Sequence, residues 1–365
     1  MRNSVAKTIK EEASGIEVYH RHIKKKFFIL TVLIVLTFIL VVLAINAGAA
    51  NMNPLEVLKT LFGQSGEKAS IVIWRIRMPR VIAALVAGAG LAIAGCVMQT
   101  TLKNPLASPS TLGISNAAAF GANVAIIGFG AGTILQTAGD AVSISNPYLV
   151  TICSFVCSMA TILLILSLSN MRGFSPSAIV LSGVALGSIF SAGTTIIQYF
   201  AASDIKIAAA IFWTFGDLGR ATWGEVLILS IIAIASVFYF FLKRWDYNAL
   251  ANGEETAKSL GVDTKKIRFW SLLIASLITA VAVSFLGIIG FIGLVAPQAM
   301  RRILGADHRF LIPASALAGA VILLAADILA RSIISPIILP VGAITSILGG
   351  PMFLFLLMKE RKSTL

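Results

Sequence analysis

The 365-residue chain is 58% hydrophobic and only 12% charged, with a mean hydropathy of +0.92 and a formal net charge of +13. A soluble globular chain carries about a quarter charged residues, so the composition points away from that class and towards a membrane protein. The basic residues are scattered between long apolar runs, which argues against nucleic-acid binding, and the runs are continuous rather than alternating, which argues against a β-barrel.

Residues 1–26 form a basic tail, expected to be cytoplasmic. Ten apolar runs follow, near 27–47, 79–101, 112–131, 147–168, 176–200, 223–243, 268–286, 287–303, 310–330 and 339–358, and residues 359–365 close the chain as a second basic tail. A helix needs about 20 apolar residues to cross a bilayer, so the expected fold is an all-α polytopic membrane protein of ten helices spanning 27–358. Only a glycine-rich bend separates the seventh run from the eighth. An even count puts both termini on one side. With that side cytoplasmic, the inner segments hold 21 of the 29 Lys and Arg residues, as the positive-inside rule requires. Lys24, Lys25 and Lys26 before a run ending in AINAGAA have the look of a signal peptide, but the run is too long for a signal core and reads as an uncleaved first span.

Past the first span, residues 54–63 suit a short amphipathic helix, and Arg75, Arg77 and Arg80 stand where snorkelling arginines anchor a helix at the membrane edge. The second span is rich in glycine and alanine, including Gly88, Gly90 and Gly95, and such residues let helix backbones approach closely. Gln99 ends its apolar part, Asn104, Pro105 and Pro109 break it, and Gly113 and Asn116 open the third span. Asn116 and Asn123 suit either hydrogen bonds between helices or the wall of a polar pathway. The fifth span contains Leu-Ser-Gly-Val-Ala at 181–185, a faint echo of a nucleotide-binding signature, but it lies in an apolar run and the chain has no G-x-x-x-x-G-K-[ST]. Close packing at Gly183 and Gly187 explains it better. The same span carries Ser182, Ser188, Ser191, Thr194, Thr195 and Gln198, so one face is a candidate lining for a water-filled route, with Gln99 and Asn116 as further candidates.

Residues 248–262 are the largest polar interruption. Gly253 before Glu254 and Glu255 suits a helix start with acids at its positive dipole end, and Gly261 suits its stop. Asp327 is the only acid well inside an apolar run, and Arg331 four residues later is placed to pair with it along the helix. Cys96, Cys153 and Cys157 read as small buried residues, and no cysteine or histidine spacing suggests a metal site or catalytic centre.

Several stretches carry a family resemblance. R-x-P-R, G-A-G-L-A-I-A-G-x-V-M-Q and N-P-L-A-x-P-x-x-L-G-I stand in order over 75–115, followed by the N-x-L-x-x-G-E-E-x-A-x-x-L-G-V stretch at 248–262, G-x-D-H-R at 305–309, L-P-V-G at 339–342 and G-x-P-x-F at 349–353. Together they resemble the FecCD-type permease subunit of ATP-binding-cassette (ABC) importers for iron–siderophore, haem or cobalamin. The resemblance implies a type II importer permease fold, working as a homodimer or with a related permease. It implies ATPase subunits on the cytoplasmic side and a substrate-binding protein outside. Arg77, Arg80 and Arg331 are then expected to dock that protein. Asn248, Leu250, Gly253, Glu254, Glu255, Ala257, Leu260, Gly261 and Val262 are expected to form the segment that couples to the ATPase. A short helix and loop at 201–222 would cap the outer end of the pathway. The chain itself would use no cofactor and perform no covalent chemistry. A ferric siderophore is the first expected substrate, then haem or cobalamin. An ion-coupled secondary transporter is the main rival, and it lacks the midplane acids such proteins need.

Overall fold

The computed structural model describes residues 2–47, 54–61, 63, 66–134, 142–144, 146–334 and 337–360. In chain order the helices are α1 (Arg2–Asn46), α2 (Pro54–Leu61), α3 (Glu67–Ile71), α4 (Met78–Thr101), α5 (Ile114–Asn123), α6 (Pro147–Asn170), α7 (Pro176–Tyr199), α8 (Asp204–Thr214), α9 (Trp223–Leu242), α10 (Arg244–Ala251), α11 (Glu254–Ser259), α12 (Thr264–Leu286), α13 (Ile292–Leu304), α14 (His308–Ser332) and α15 (Val341–Glu360). A π-helical turn, Val72–Arg77, joins α3 to α4, and another, Val124–Gly128, extends α5. The only strands among the described residues are two three-residue pieces, β1 (Gly132–Ile134) and β2 (Val142–Ile144), paired antiparallel.

Among the described residues, seven helices are long and apolar enough to cross a membrane, and two shorter apolar ones, Ile114–Gly128 and Val341–Phe355, stand at the third and tenth expected spans. The eighth departs from expectation. It begins at Ile292 rather than at 287 and has 13 residues, about 20 Å of helix against a hydrocarbon core of about 30 Å. The cause is local. Gly287 and Phe291 both have positive φ, so the chain leaves the helix for five residues between α12 and α13. α1 runs unbroken from Arg2 into the first span.

The bundle is built around α4. Residues 91–101 are buried without exception. Small residues make this possible. A Cβ at Gly95 would overlap the carbonyl of Gly293 on α13, and one at Gly88 would overlap that of Gly319 on α14. The expected close pair on α7 is also in contact: Gly183 and Gly187 face Leu112 and Gly113 at the start of α5, where Gly113 adopts φ +75°. By contrast α1, α7, α9 and α15 expose rows of large apolar side chains, including Phe38, Ile189, Ile234 and Phe355, as helices facing lipid or another subunit do.

Candidate functional site

At one end of the bundle, Arg77, Arg80 and Arg331 converge. Each is nearly buried, at 4%, 5% and 7% exposure. Arg80 Nε donates to Asp327 Oδ1 at 2.8 Å, and Arg331 Nη2 lies 2.7 Å from Asp327 Oδ2. The within-helix pairing of Asp327 with Arg331 is thus present, and it is shared with α4. Arg331 also donates to the carbonyls of Ala44 and Ala47, and Arg77 to those of Ile45 and Asn46. Two cations therefore cap the C-terminal end of α1, where the helix dipole is negative. Two guanidinium groups, those of Arg80 and Arg331, share one fully buried carboxylate. The next acid, Asp217, is 3.9 Å from Arg80 Nη2, a buried nitrogen without a hydrogen bond. The cluster carries excess positive charge.

Beside it, three distant stretches interlock. Val341 and Gly342 donate backbone hydrogen bonds to Gly216 and Phe215, and Asp217 donates to Leu286. A Cβ at either Gly216 or Gly342 would overlap the carbonyl of Ile288 in the α12–α13 break. The 201–222 region holds the expected short helix, α8. Its Trp213 is buried, whereas Trp223 is partly exposed and donates to the Trp74 carbonyl.

The polar candidates divide between two places. Asn116, Ser191 and Thr195 are exposed on neighbouring α5 and α7, with Gln198 half-buried at their edge. Asn116 donates to the Gly187 carbonyl, and Gln198 donates to Asn123 Oδ1 at 3.0 Å. Gln99 is off this face. It is buried between α4 and α13, donates to the carbonyls of Gly293 and Leu294, and accepts from Gln298.

At the opposite end lies the 248–262 segment, folded as α10, a glycine turn and α11. Gly253 (φ +131°) starts α11 and Gly261 (φ +81°) ends it. The segment has two faces. Leu250 and Ala257 are fully buried, while Glu255 and Leu260 are exposed. Two polar attachments fix it to the helices. In the first, Asn248 Oδ1 accepts from the His308 backbone N–H and lies 2.9 Å from His308 Nδ1, while Asn248 Nδ2 donates to Asp307 Oδ1. That arrangement puts the imidazole proton on Nδ1, so Nε2 accepts from Thr100 Oγ1 of α4 at 2.8 Å. Burial alone would raise the Asp307 carboxyl, but bonds from Arg309 and Asn248 outweigh it and hold it at about 2. In the second attachment, Glu254 pairs with Arg268 at 3.2 Å. Burial pushes the Glu254 carboxyl up, and the bond and charge of Arg268 outweigh this, leaving it below its ordinary value.

His308 and Arg268 do not stand out from sequence. His308 reads as a turn residue and Arg268 as one more inner positive charge. The available signal is the third of three basic residues in the first turns of α12, standing where its apolar part begins, since a charge buried there needs a partner.

The comparisons with known proteins agree with this architecture. Residues 35–359 match the FecCD transport family. A protein of Methanocaldococcus jannaschii named as an ABC transporter permease is 51% identical, over 94% of this chain and 98% of its own. The hemin transport system permease of Yersinia pestis is 36% identical, over 90% and 96%. Other relatives carry names for Fe(3+)-citrate and vitamin B12 import. A solved structure of a metal-chelate type ABC transporter, in an inward-facing conformation, superimposes with a TM-score of 0.76 at 28% identity, covering 92% of this chain and 99% of that one. The chain is a multi-pass membrane protein that belongs to the FecCD transport family of ABC importer permeases.

Proposed function

We propose that this permease carries a ferric siderophore from an extracytoplasmic binding protein into the cytoplasm, driven by ATPase subunits that dock on residues 248–262. The observation that carries the coupling reading is the division of that segment. One side is tied to the transmembrane helices through Asn248 and Glu254, and the other presents Leu260 and the Glu255–Lys258 ion pair outward. A lever needs one fixed face and one free face. Both termini lie on the ATPase side in this reading.

Two permeases, identical or related, enclose one pathway, along which the exposed Asn116, Ser191 and Thr195 offer hydrogen-bonding groups to a polar chelate. The binding protein docks at the end holding Arg77, Arg80 and Arg331. The excess positive charge there supports an acidic partner, since complementary charge sets register and speeds encounter. At 4–7% exposure these arginines meet such a partner only after the cluster opens, or act on it through their field. Haem is the second reading for the substrate, favoured by the likeness to the hemin permease.

The test is uptake by a strain lacking the gene, with and without its restoration, under iron limitation. Labelled ferric siderophores, haem and cobalamin are compared. Loss and rescue of ferric siderophore uptake is the expected result, and loss of haem or cobalamin uptake instead would replace the substrate.

A further inference from the structure

Arg268 is 1% exposed, one turn inside the apolar helix α12, and it spends all three nitrogens on three different elements. Nε donates to the carbonyl of Thr101, the last residue of α4. Nη1 donates to the carbonyl of Phe174, in the turn between α6 and α7, at 2.6 Å. Nη2 donates to Glu254 Oε2, on the first residue of α11, at 3.2 Å. The turn is shaped for this contact: Gly173 and Phe174 both have positive φ, and the Phe174 N–H donates back to Ser169. Thr264 Oγ1 holds the other oxygen of Glu254 at 3.3 Å. A guanidinium is planar and forked, so its three contacts keep one fixed relation to each other.

We propose that Arg268 is the positioning residue through which α11 moves the inner ends of α4 and of the α6–α7 pair as one body. The proposal rests on the reading of 248–262 as the ATPase-coupled segment. It adds the route by which displacement leaves that segment. α11 is six residues long and packs on α10 and α12, and the charged link through Arg268 carries its displacement on to α4 and the α6–α7 turn. The cation at Arg268 also sits at the C-terminal dipole of α4, which favours the contact electrostatically. α4 is the axis on which α12, α13 and α14 pack, so whatever moves its inner end is felt throughout the bundle.

The experiment uses the full permease copurified with its ATPase subunits and placed in lipid nanodiscs. Nitroxide labels are attached at the exposed positions Lys258 (on α11) and Arg172 (in the α6–α7 turn) as K258C and R172C, with Cys153 and Cys157 replaced by serine. Distances are read without nucleotide and after trapping with ATP and vanadate. In the labelled parent protein, the 258–172 distance stays constant between the two states. In Arg268→Gln it shifts by several ångströms on trapping, because α11 moves alone. Glu254→Gln, which keeps the two carbonyl contacts and so spares the fold, gives the same shift. Adding it to Arg268→Gln changes nothing further, since both break one link. Arg268→Lys, which keeps the charge without the fork, gives a smaller shift.

A distance that changes in the parent protein, or stays constant in both Arg268→Gln and Glu254→Gln, overturns the proposal. A purely structural role would lower yield and melting temperature and leave the trapped distance constant. If the permease binds no ATPase, the coupling reading fails and takes the proposal with it. If it binds and only the distances fail to respond, the reading stands and the proposal falls.

Discussion

The two ends of the bundle use arginine on helix C-termini in different ways. At one end, Arg77 and Arg331 hold the carbonyls that finish α1, and Arg80 and Arg331 share Asp327, which is fully buried. At the other, Arg268 holds the carbonyl that finishes α4, but its acid is Glu254, one-third exposed on a six-residue helix. The geometry is similar and the consequence is not. A fully buried carboxylate near the C-terminal end of a 25-residue helix joins two rigid bodies. A carboxylate at the start of a short surface helix joins a rigid body to one that a partner can move.

The strongest way to break this comparison is at Asp327. Asp327→Asn leaves buried Arg331 without its carboxylate and Arg80 with only Asp217 at 3.9 Å, and losing one partner of a buried pair costs about 3–5 kcal/mol. We expect a large fall in the melting temperature of the purified permease. A fall no larger than that of Glu254→Gln would erase the contrast between the ends. Next comes the axis that connects them. Gly95→Ala drives a methyl into the Gly293 carbonyl, and overpacking of this kind costs about 1–3 kcal/mol; thermal unfolding in detergent reads it, and an unchanged transition would show that α4 and α13 can part freely.

A smaller effect is expected at Gly253, whose φ of +131° suits glycine alone. Its missing Cβ meets nothing closer than 3.4 Å, so the cost of Gly253→Ala is conformational, about 1 kcal/mol or somewhat more. Proteolysis within 248–262 should rise, while thermal unfolding of the bundle barely moves. Equal loss in both would mean the segment is not separable from the helices.

The smallest effect is a pH dependence. Asp307 is held at about 2, below its unfolded carboxyl value. Its contribution is therefore complete above about pH 4 and is lost as pH falls from there through 2. Hydrogen exchange of the His308 and Arg309 amides should stay protected at pH 5 and rise only below about 3. A rise already at pH 5 would exclude Asp307 as the group that holds α10 to α14.

How much of this was legible beforehand depends on the range of the interaction. The apolar runs are local properties, so the spans at 147–168, 176–200, 223–243 and 310–330 coincide closely with α6, α7, α9 and α14. The glycines that start and end α11, Gly253 and Gly261, are legible for the same reason. The α12–α13 break was harder to place. A glycine-rich apolar run reads alike as helix or as extended chain, and only packing against Gly216 and Gly342 selects the latter.

The sequence by itself determined that this is a polytopic helical membrane protein, which stretches are polar, and which motifs identify the family, because hydrophobic length and short motifs are carried within a few residues of one another. Only the tertiary structure decided what the charges do. Arg80 meets Asp327 across 247 positions and His308 meets Thr100 across 208. Arg268 joins Thr101, Phe174 and Glu254 from three separate elements. A buried charge must find a partner, but its own sequence neighbourhood does not say which one; helix packing brings the partner within reach.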